Sequence, residues 1–574
     1  MDKFNFIKEI DRFALLDPDA RALGLGRDVV SYAALKQKSD LVAQNLRKMG
    51  VETQEAVGVY IDRSFDAIFA ILGILKSGCI CVPLDKTYPR ERIEYIIENS
   101  QIKNIIFDKD DLNFKNGNLI SISDLLIGET QGISKPTDDI FDKGIMYYLY
   151  TSGSTGKPKG IRMTLRSINN LIKWQIEISG NRSKKTLQFA PLSFDVSFQE
   201  IFSTLSSGSE LVLIKDDERF SLDRVSEIIY KEGITRMFMP FVAFNQIIKY
   251  DHNLTSLREI NIAGEQLKIS NKIRGFFKNR ECILCNQYGP TETHVVSQYR
   301  LSSLISEWKD LPPIGRPIDN VSLQIINEVG GVISGMEIGQ IVASGICLFD
   351  GYIGAIDNNH INIEDKLYYK TGDFGFRDMD GNFNFLYRKD KQVKIRGYRV
   401  EMGEIENVLN SFPEIEEAVV VYMGGLLGAA IKPIRKIENV STFLDSCRIS
   451  LGDCIPKYML PQKYIYLESL PMTSSGKVDR DKIEKTFLVE SYHAKNKDKN
   501  DTSVDKVLVE IWSNMLKHRN FGNNDNFFDV GGSSILLYKV QEQIKERLNF
   551  DIKLIDLLEF TDISRLASFI HEKR

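Results

Sequence analysis

Between Tyr150 and Gly160 the chain reads Tyr150-Thr151-Ser152-Gly153-Ser154-Thr155-Gly156-Lys157-Pro158-Lys159-Gly160. The glycines permit a tight turn, the hydroxyls of Thr151, Ser152, Ser154 and Thr155 offer donors, and Lys157 and Lys159 supply positive charge. That combination suits a polyphosphate. A Walker A loop needs Ser or Thr directly after Gly-Lys; Pro158 stands there instead and would break the helix that must follow. A P-loop kinase or ATPase is therefore disfavoured. By itself such a turn also reads as a solvated loop, so its meaning rests on what accompanies it. Cys282 and Cys285 form a lone C-x-x-C inside an apolar strand-like run and read as buried reduced thiols, not as zinc ligands.

The elements that must position these residues fill a chain of 574 residues, enough for several domains. From about residue 28 to 385, helical apolar spacing alternates with short β-branched runs, a pattern of layered α/β architecture. A compact α+β stretch with strands such as EAVVVYM and KYIYLE follows, to about Lys485. The polar run Ser491 to Ser503 has the composition of a flexible linker. Beyond it, Val504, Leu508, Ile511, Trp512 and Met515 mark a helix with one apolar face, and a second helix is expected near Ser534. Thr561-Asp562 reads as the N-cap of a last helix burying Ile563, Leu566, Phe569 and Ile570. The expected domains are 1–386, 387–486, a linker over 487–503, and a helical module over 504–574.

Hydrophobic residues are 43% and charged residues 26% of the chain, ordinary values for a globular protein. With 74 basic against 78 acidic residues the net charge is -4, so no positive field exists to hold nucleic acid. The apolar run Ala67 to Leu75 is far shorter than the about 20 residues that span a bilayer. The first residues show no secretory pattern. The expectation is a cytoplasmic protein with neither a nucleic-acid nor a membrane partner.

A series of further motifs accompanies the phosphate-type loop, in order: Leu75 to Asp85, Phe194-Asp195-Val196-Ser197, Asn286-Gln287-Tyr288-Gly289-Pro290-Thr291-Glu292, Tyr369 to Asp373, Gln392 to Glu401, and Leu470 to Arg480. Together they resemble the adenylate-forming superfamily, and specifically the adenylation domains of nonribosomal peptide synthetases. The resemblance implies a large adenylate-forming core, a small mobile α+β subdomain and, after the linker, a four-helix carrier bundle. It implies ATP and Mg2+ as cofactors. Lys477 would contact the reacting oxygens, where positive charge lowers the barrier to joining two anions. Thr291 would bond the α-phosphate, and Glu292 would be the magnesium carboxylate. Thr151, Ser152, Gly153, Ser154, Thr155, Gly156, Lys157 and Lys159 would hold the phosphates. Asp373 would accept the ribose hydroxyls with Arg388 nearby, while Asn286 and Tyr288 would surround the adenine, with Phe385 in place of a tyrosine. Asp390 corresponds to the hinge about which the small subdomain turns between half-reactions.

Asp525 to Ser534 resembles the carrier signature in which Ser534 receives 4'-phosphopantetheine, at a helix start that favours the incoming phosphodiester. This makes a phosphopantetheinyl transferase an expected partner. Asp195 corresponds to the carboxylate that pairs with an α-ammonium, which makes the expected substrate an α-amino acid. The implied pocket is Asp195, Val196, Gln199, Val242, Asn261, Ala263, Gln287, Val295 and Val296, together with Lys477. It resembles proline-activating domains, with Asn261 and Gln287 departing as amides, and the expected substrate is L-proline or a substituted proline. Leu165, Tyr387 and Gln340 depart from the family pattern and motivate a competing reading, a catalytically degenerate carrier or scaffold. An acyl or aryl acid ligase fused to a carrier is a further alternative. With no condensation-sized segment before the core, the expectation is self-loading, then delivery in trans to a downstream condensation or tailoring enzyme.

Overall fold

A computed structural model describes residues 4–108, 114–130, 143–153, 157–180, 185–219, 221–354, 357, 359–388, 392–395, 397–423, 426–471, 478–493, 503–516, 519, 521–523, 525, 527, 530, 534–552, 556–557 and 560–573. The chain divides into two compact units, Met1–Glu401 and Met402–Arg574. The division lies beyond the expected 386/387 boundary. Strand Phe383–Arg388 pairs with Lys366–Arg377, and hairpin Gln392–Ile395/Tyr398–Glu401 hydrogen-bonds through Arg399, Glu401 and Gly397 to residues of the first unit.

Among the described residues the first unit contains three larger sheets besides the two-stranded hairpin Gln392–Ile395/Tyr398–Glu401. A six-stranded sheet runs in the order Asn118–Ser121, Asn104–Phe107, Ala56–Tyr60, Ile80–Pro83, Ile145–Thr151, Lys159–Thr164. All its pairings are parallel except the last, which is antiparallel and joins the two strands on either side of the phosphate-type motif. A nine-stranded sheet has a parallel centre running from Ile283–Tyr288 to Arg21–Leu25 through the strands at 259, 236, 185 and 210. Parallel strands need crossover helices that cover both faces. The helix Phe65–Ser77 shows the consequence, since every residue from Ala67 to Ser77 is buried. Its Lys76 ammonium lies 2.7 Å from both Asp11 and Asp40, a buried charge triad. The third sheet is antiparallel and includes Val321–Ile326, Gly339–Gly345 and Lys366–Arg377.

The family departures fall on structural positions. Leu165 is buried at the start of helix Leu165–Ser179, and Tyr387 stacks on Phe374 with ring centroids 5.4 Å apart. Gln340 pairs in register with Phe374 between two strands.

In the second unit, strands Ile415–Met423, Leu426–Pro433 and Lys463–Tyr466 form one sheet. Helix Arg480–His493 runs into the region expected as linker from residue 487, because Phe487 is buried in the core with Val419, Ala430 and Ile465. The carrier-like region builds a separate core from Val504, Leu508, Ile511, Trp512, Leu537, Val540, Ile544, Ile563, Leu566 and Ile570. Three helices carry most of it among the described residues: Ser503–Leu516, Ser534–Leu548 and Ile563–Lys573. Asp562 caps the last by accepting the Arg565 N–H at 2.9 Å. No helix among the described residues is long and apolar enough to cross a membrane.

Candidate active site

Asp373 stands in strand Lys366–Arg377 directly across from Arg388, and the register brings Arg388 Nη1 to 2.7 Å from Asp373 Oδ1. The Tyr288 hydroxyl donates to Asp373 Oδ2 at 2.6 Å. Three residues expected around one nucleoside are thus joined through one buried carboxylate, each of whose oxygens keeps a lone pair for another donor. Burial, with the Asp373 charge, pushes the Tyr288 phenol well above its ordinary range, so it remains a donor. Asn286 sends its Nδ2 to the Pro313 carbonyl at 2.7 Å, which anchors the strand next to this group. Phe385 packs at the edge of the core around Tyr288, and a cavity of about 730 Å³ lies beside Lys370, Thr371, Gly372, Arg388 and Arg399.

After strand Ile283–Tyr288 the chain turns so tightly that a Cβ on Gly289 would sit 1.7 Å from the His294 carbonyl oxygen. This turn delivers Thr291, half-buried, and Glu292, fully buried. Arg399 Nη1 lies 2.7 Å and 2.8 Å from the two Glu292 oxygens, and the Tyr352 hydroxyl donates to Oε1 at 2.8 Å. Burial opposes ionisation of Glu292, but the guanidinium and the hydroxyl outweigh it and hold the carboxyl below its ordinary range. An ionised carboxylate is the hard oxygen donor that magnesium takes, so the residue fits the ion in chemistry. In this arrangement a cation of the protein already rests on it.

The phosphate-type loop is tied to the same place. Ser152 is buried, donates to the Arg399 carbonyl at 2.9 Å and accepts the Glu401 N–H at 3.1 Å. Thr151 pairs with Lys159 across the hairpin, and a Cβ on Gly153 would meet the Lys157 carbonyl oxygen at 2.0 Å. Lys159 Nζ lies 5.7 Å from the centre of the Tyr352 ring, whose hydroxyl binds Glu292; Lys157 rests over Tyr95. Ser154, Thr155, Gly156, Lys477 and Asp390 lie outside the described residues.

Asp195 opens helix Asp195–Leu205, and its Oδ1 accepts its own Val196 N–H at 2.7 Å. His294 joins it to the Glu292 turn. Its Nδ1 accepts the Val295 N–H, so Nε2 carries the proton and donates to the Asp195 carbonyl at 2.9 Å. Burial keeps this imidazole neutral by lowering its pKa. Gln199, Asn261 and Gln287 come together in one buried hydrogen-bonded cluster. Ala263 follows strand Glu259–Ile262, and Val242, in helix Phe241–Ile247, stands partly exposed with its N–H on Glu265. Val295 and Val296 are split, Val295 packing with Leu171 and Trp174, and Val296 with Tyr288 and Ile314.

Sequence reasoning passed over Arg399, Tyr352 and His294. Arg399 lay inside a recognised motif, and its placement is the missed signal; Tyr352 and His294 carry no local pattern that points to the site. The hairpin Gln392–Ile395/Tyr398–Glu401 also meets Arg388 through Gln392 and, through Tyr398, packs edge-on at 4.8 Å against Phe194, the residue before Asp195. Lys394 of the same hairpin has its pKa lowered by burial, with Asp373 and Asp195 pulling the other way.

In the carrier-like region Ser534 is the first residue of helix Ser534–Leu548. Phe527, buried and 4.7 Å from Trp512 centre to centre, fixes the chain before it, and its N–H donates to the Thr561 carbonyl.

Residues 10–353 match the family model for AMP-binding enzymes, and residues 506–570 match that for a phosphopantetheine attachment site. Gramicidin S synthase 2 of Brevibacillus brevis is 33% identical over 96% of this chain, which spans 13% of that protein. Tyrocidine synthase 2 of Brevibacillus parabrevis is 32% identical over 96% of this chain and 16% of its own length. The chain therefore covers a small part of these relatives. Among solved structures, holo-PA1221, an NRPS protein containing adenylation and PCP domains, superposes with a TM-score of 0.80 at 22% identity, over 99% of this chain and 96% of that one. The Vibrio cholerae adenylation domain AlmE gives 0.72 at 20% identity, over 85% and 98%. These likenesses establish a shared adenylation fold with a carrier domain.

Proposed function

Because the chain belongs to the AMP-binding enzymes and also carries a phosphopantetheine attachment region, we propose that it activates an α-amino acid with ATP and loads it onto its own carrier. A carboxylate oxygen of the amino acid attacks the α-phosphorus, the bond to pyrophosphate breaks, and pyrophosphate leaves. A 4'-phosphopantetheine carried on Ser534 would supply the thiol that takes the acyl group, with its proton lost to solvent and AMP as the leaving group. Magnesium, when bound, neutralises phosphate charge, with Glu292 as its protein ligand. Asp373 and Arg388 hold the ribose, the 151–159 loop the phosphates, Thr291 and Lys477 the reacting phosphoryl group, and Asp195 the α-ammonium.

The observation that carries this reading is the link from Asp195 through His294 to the Glu292 turn. It ties the backbone of Asp195, whose carboxylate suits an ammonium, to the turn that carries Glu292, whose carboxylate suits the phosphate-bound cation. On the pocket residues, the substrate is L-proline or a substituted proline. The reaction takes place in the cytoplasm, a phosphopantetheinyl transferase supplies the arm, and a downstream condensation or tailoring enzyme consumes the aminoacyl thioester.

Amino-acid-dependent exchange of pyrophosphate into ATP, followed by the intact mass of the holo protein, tests this. Exchange with proline or a substituted proline and a matching mass gain support it. Exchange only with acids lacking an α-amino group would favour an acyl or aryl acid ligase, and none with any acid a degenerate scaffold.

A further inference from the structure

Beneath Asp195 lies a cluster of carboxamides whose orientations are set from one end. Glu259 Oε1 accepts from Asn261 Nδ2 at 2.8 Å, from the Ser179 hydroxyl at 2.9 Å and from Gln175 Nε2 at 3.4 Å. A carboxylate only accepts, so Asn261 and Gln175 must turn their NH2 groups toward it and their oxygens away. Gln175 Oε1 then receives Gln199 Nε2 at 2.7 Å and Gln287 Nε2 at 2.8 Å, while Asn261 Oδ1 faces Gln287 Nε2 at 3.3 Å. Gln199 Nε2 also donates to Gln287 Oε1 at 3.1 Å, so both its hydrogens are engaged. The chain of donors leaves no freedom to flip Gln199.

What remains is Gln199 Oε1, which is buried and has no hydrogen-bond partner among the described residues. Gln199 itself is fully buried, and an acceptor so placed is costly to leave unmet. It stands four residues after Asp195 in helix Asp195–Leu205, on the same face and roughly 6 Å further along the axis. We take the side chain of an amino acid whose ammonium pairs with Asp195 to run along that face.

We propose that Gln199 Oε1 accepts a hydrogen bond from the substrate side chain, and that the enzyme therefore selects an α-amino acid bearing a neutral N–H or O–H donor there. Glu259 and Gln175 are positioning residues that hold the acceptor in place. The inference rests on the amino-acid-activating reading and narrows it. Among substituted prolines it selects a hydroxylated or otherwise donor-bearing ring over proline itself.

The test is pyrophosphate exchange by the full chain with pairs matched in shape: 4-hydroxyproline against 4-methylproline, threonine against valine, glutamine against methionine. The expected result is that in the best-accepted pair the donor-bearing member has kcat/KM higher by about 10- to 100-fold. Gln199→Met should collapse that ratio, and Glu259→Gln, which frees the amides to reverse, should shift it toward acceptor-bearing side chains. Equal or better use of the apolar member in the wild-type protein would overturn the proposal without any variant having to fold. The same holds for a ratio unchanged in folded Gln199→Met, which would mean that a buried water satisfies Oε1. Loss of exchange with every amino acid would instead overturn the underlying reading together with this one.

Discussion

Arg399 binds Glu292 through one guanidinium nitrogen placed between both carboxylate oxygens, across 107 residues of sequence. The partner of the buried acid is thus a residue of the hairpin Gln392–Glu401, which also holds Ser152. A metal ion bound to Glu292 must share its oxygens with this guanidinium or displace it.

Arg399→Met should lower the magnesium concentration needed for half-maximal pyrophosphate exchange, since a competing cation is gone. It should also destabilise the protein by about 3–5 kcal/mol, because a buried carboxylate loses its partner. Magnesium titration and thermal unfolding read the two effects. An unchanged or higher magnesium requirement would separate Arg399 from the metal.

Lys477→Ala should abolish adenylate formation and leave folding intact. A charge that acts on the transition state is typically worth 10²–10³ in rate, about 3–4 kcal/mol. Exchange near the wild-type rate in a normally folded variant would remove Lys477 from the chemistry.

Ser534→Ala should keep exchange but show no mass gain with a phosphopantetheinyl transferase and no covalent loading. Ser533→Ala should still be modified and loaded. The reverse outcome would move the attachment point by one residue.

Lys76→Met should destabilise the first unit by up to about 3–5 kcal/mol, because Asp11 and Asp40 would lose the buried cation they share, with Lys36 left on Asp40 alone. Adding Asp11→Asn and Asp40→Asn should recover part of the loss, as read by thermal unfolding.

Burial pushes the Glu200 carboxyl up to about 8 from its ordinary 4.5, against hydrogen bonds from Phe189, Ala190 and Gln188. Its protonated form is favoured more in the folded than in the unfolded state. Its contribution to stability is therefore full below about pH 4.5 and is lost as pH rises toward 8. Glu200→Gln should flatten the pH dependence of the unfolding temperature across that window. An equally steep dependence in the variant would assign it to other groups.

What the sequence by itself determined is what short range encodes. The spacing of Val504, Leu508 and Ile511 marked a buried helical face, Thr561-Asp562 marked a helix start, and the motif order identified an adenylating core followed by a carrier. Asp373, Arg388 and Tyr288 were each expected from the motifs to lie around one nucleoside. Their convergence on one carboxylate was not, because strand register sets it. The linker began too early in the sequence reading, since polar composition says nothing of Phe487 reaching a core built from distant strands. Only the tertiary structure decided that Arg399 sits on Glu292 and that Gln175, from helix Leu165–Ser179, joins the amides of Gln199 and Gln287. The physical reason is common to all of these. Periodicity tells which face of an element is buried, but which side chains meet across that interior depends on the packing of elements far apart in the chain.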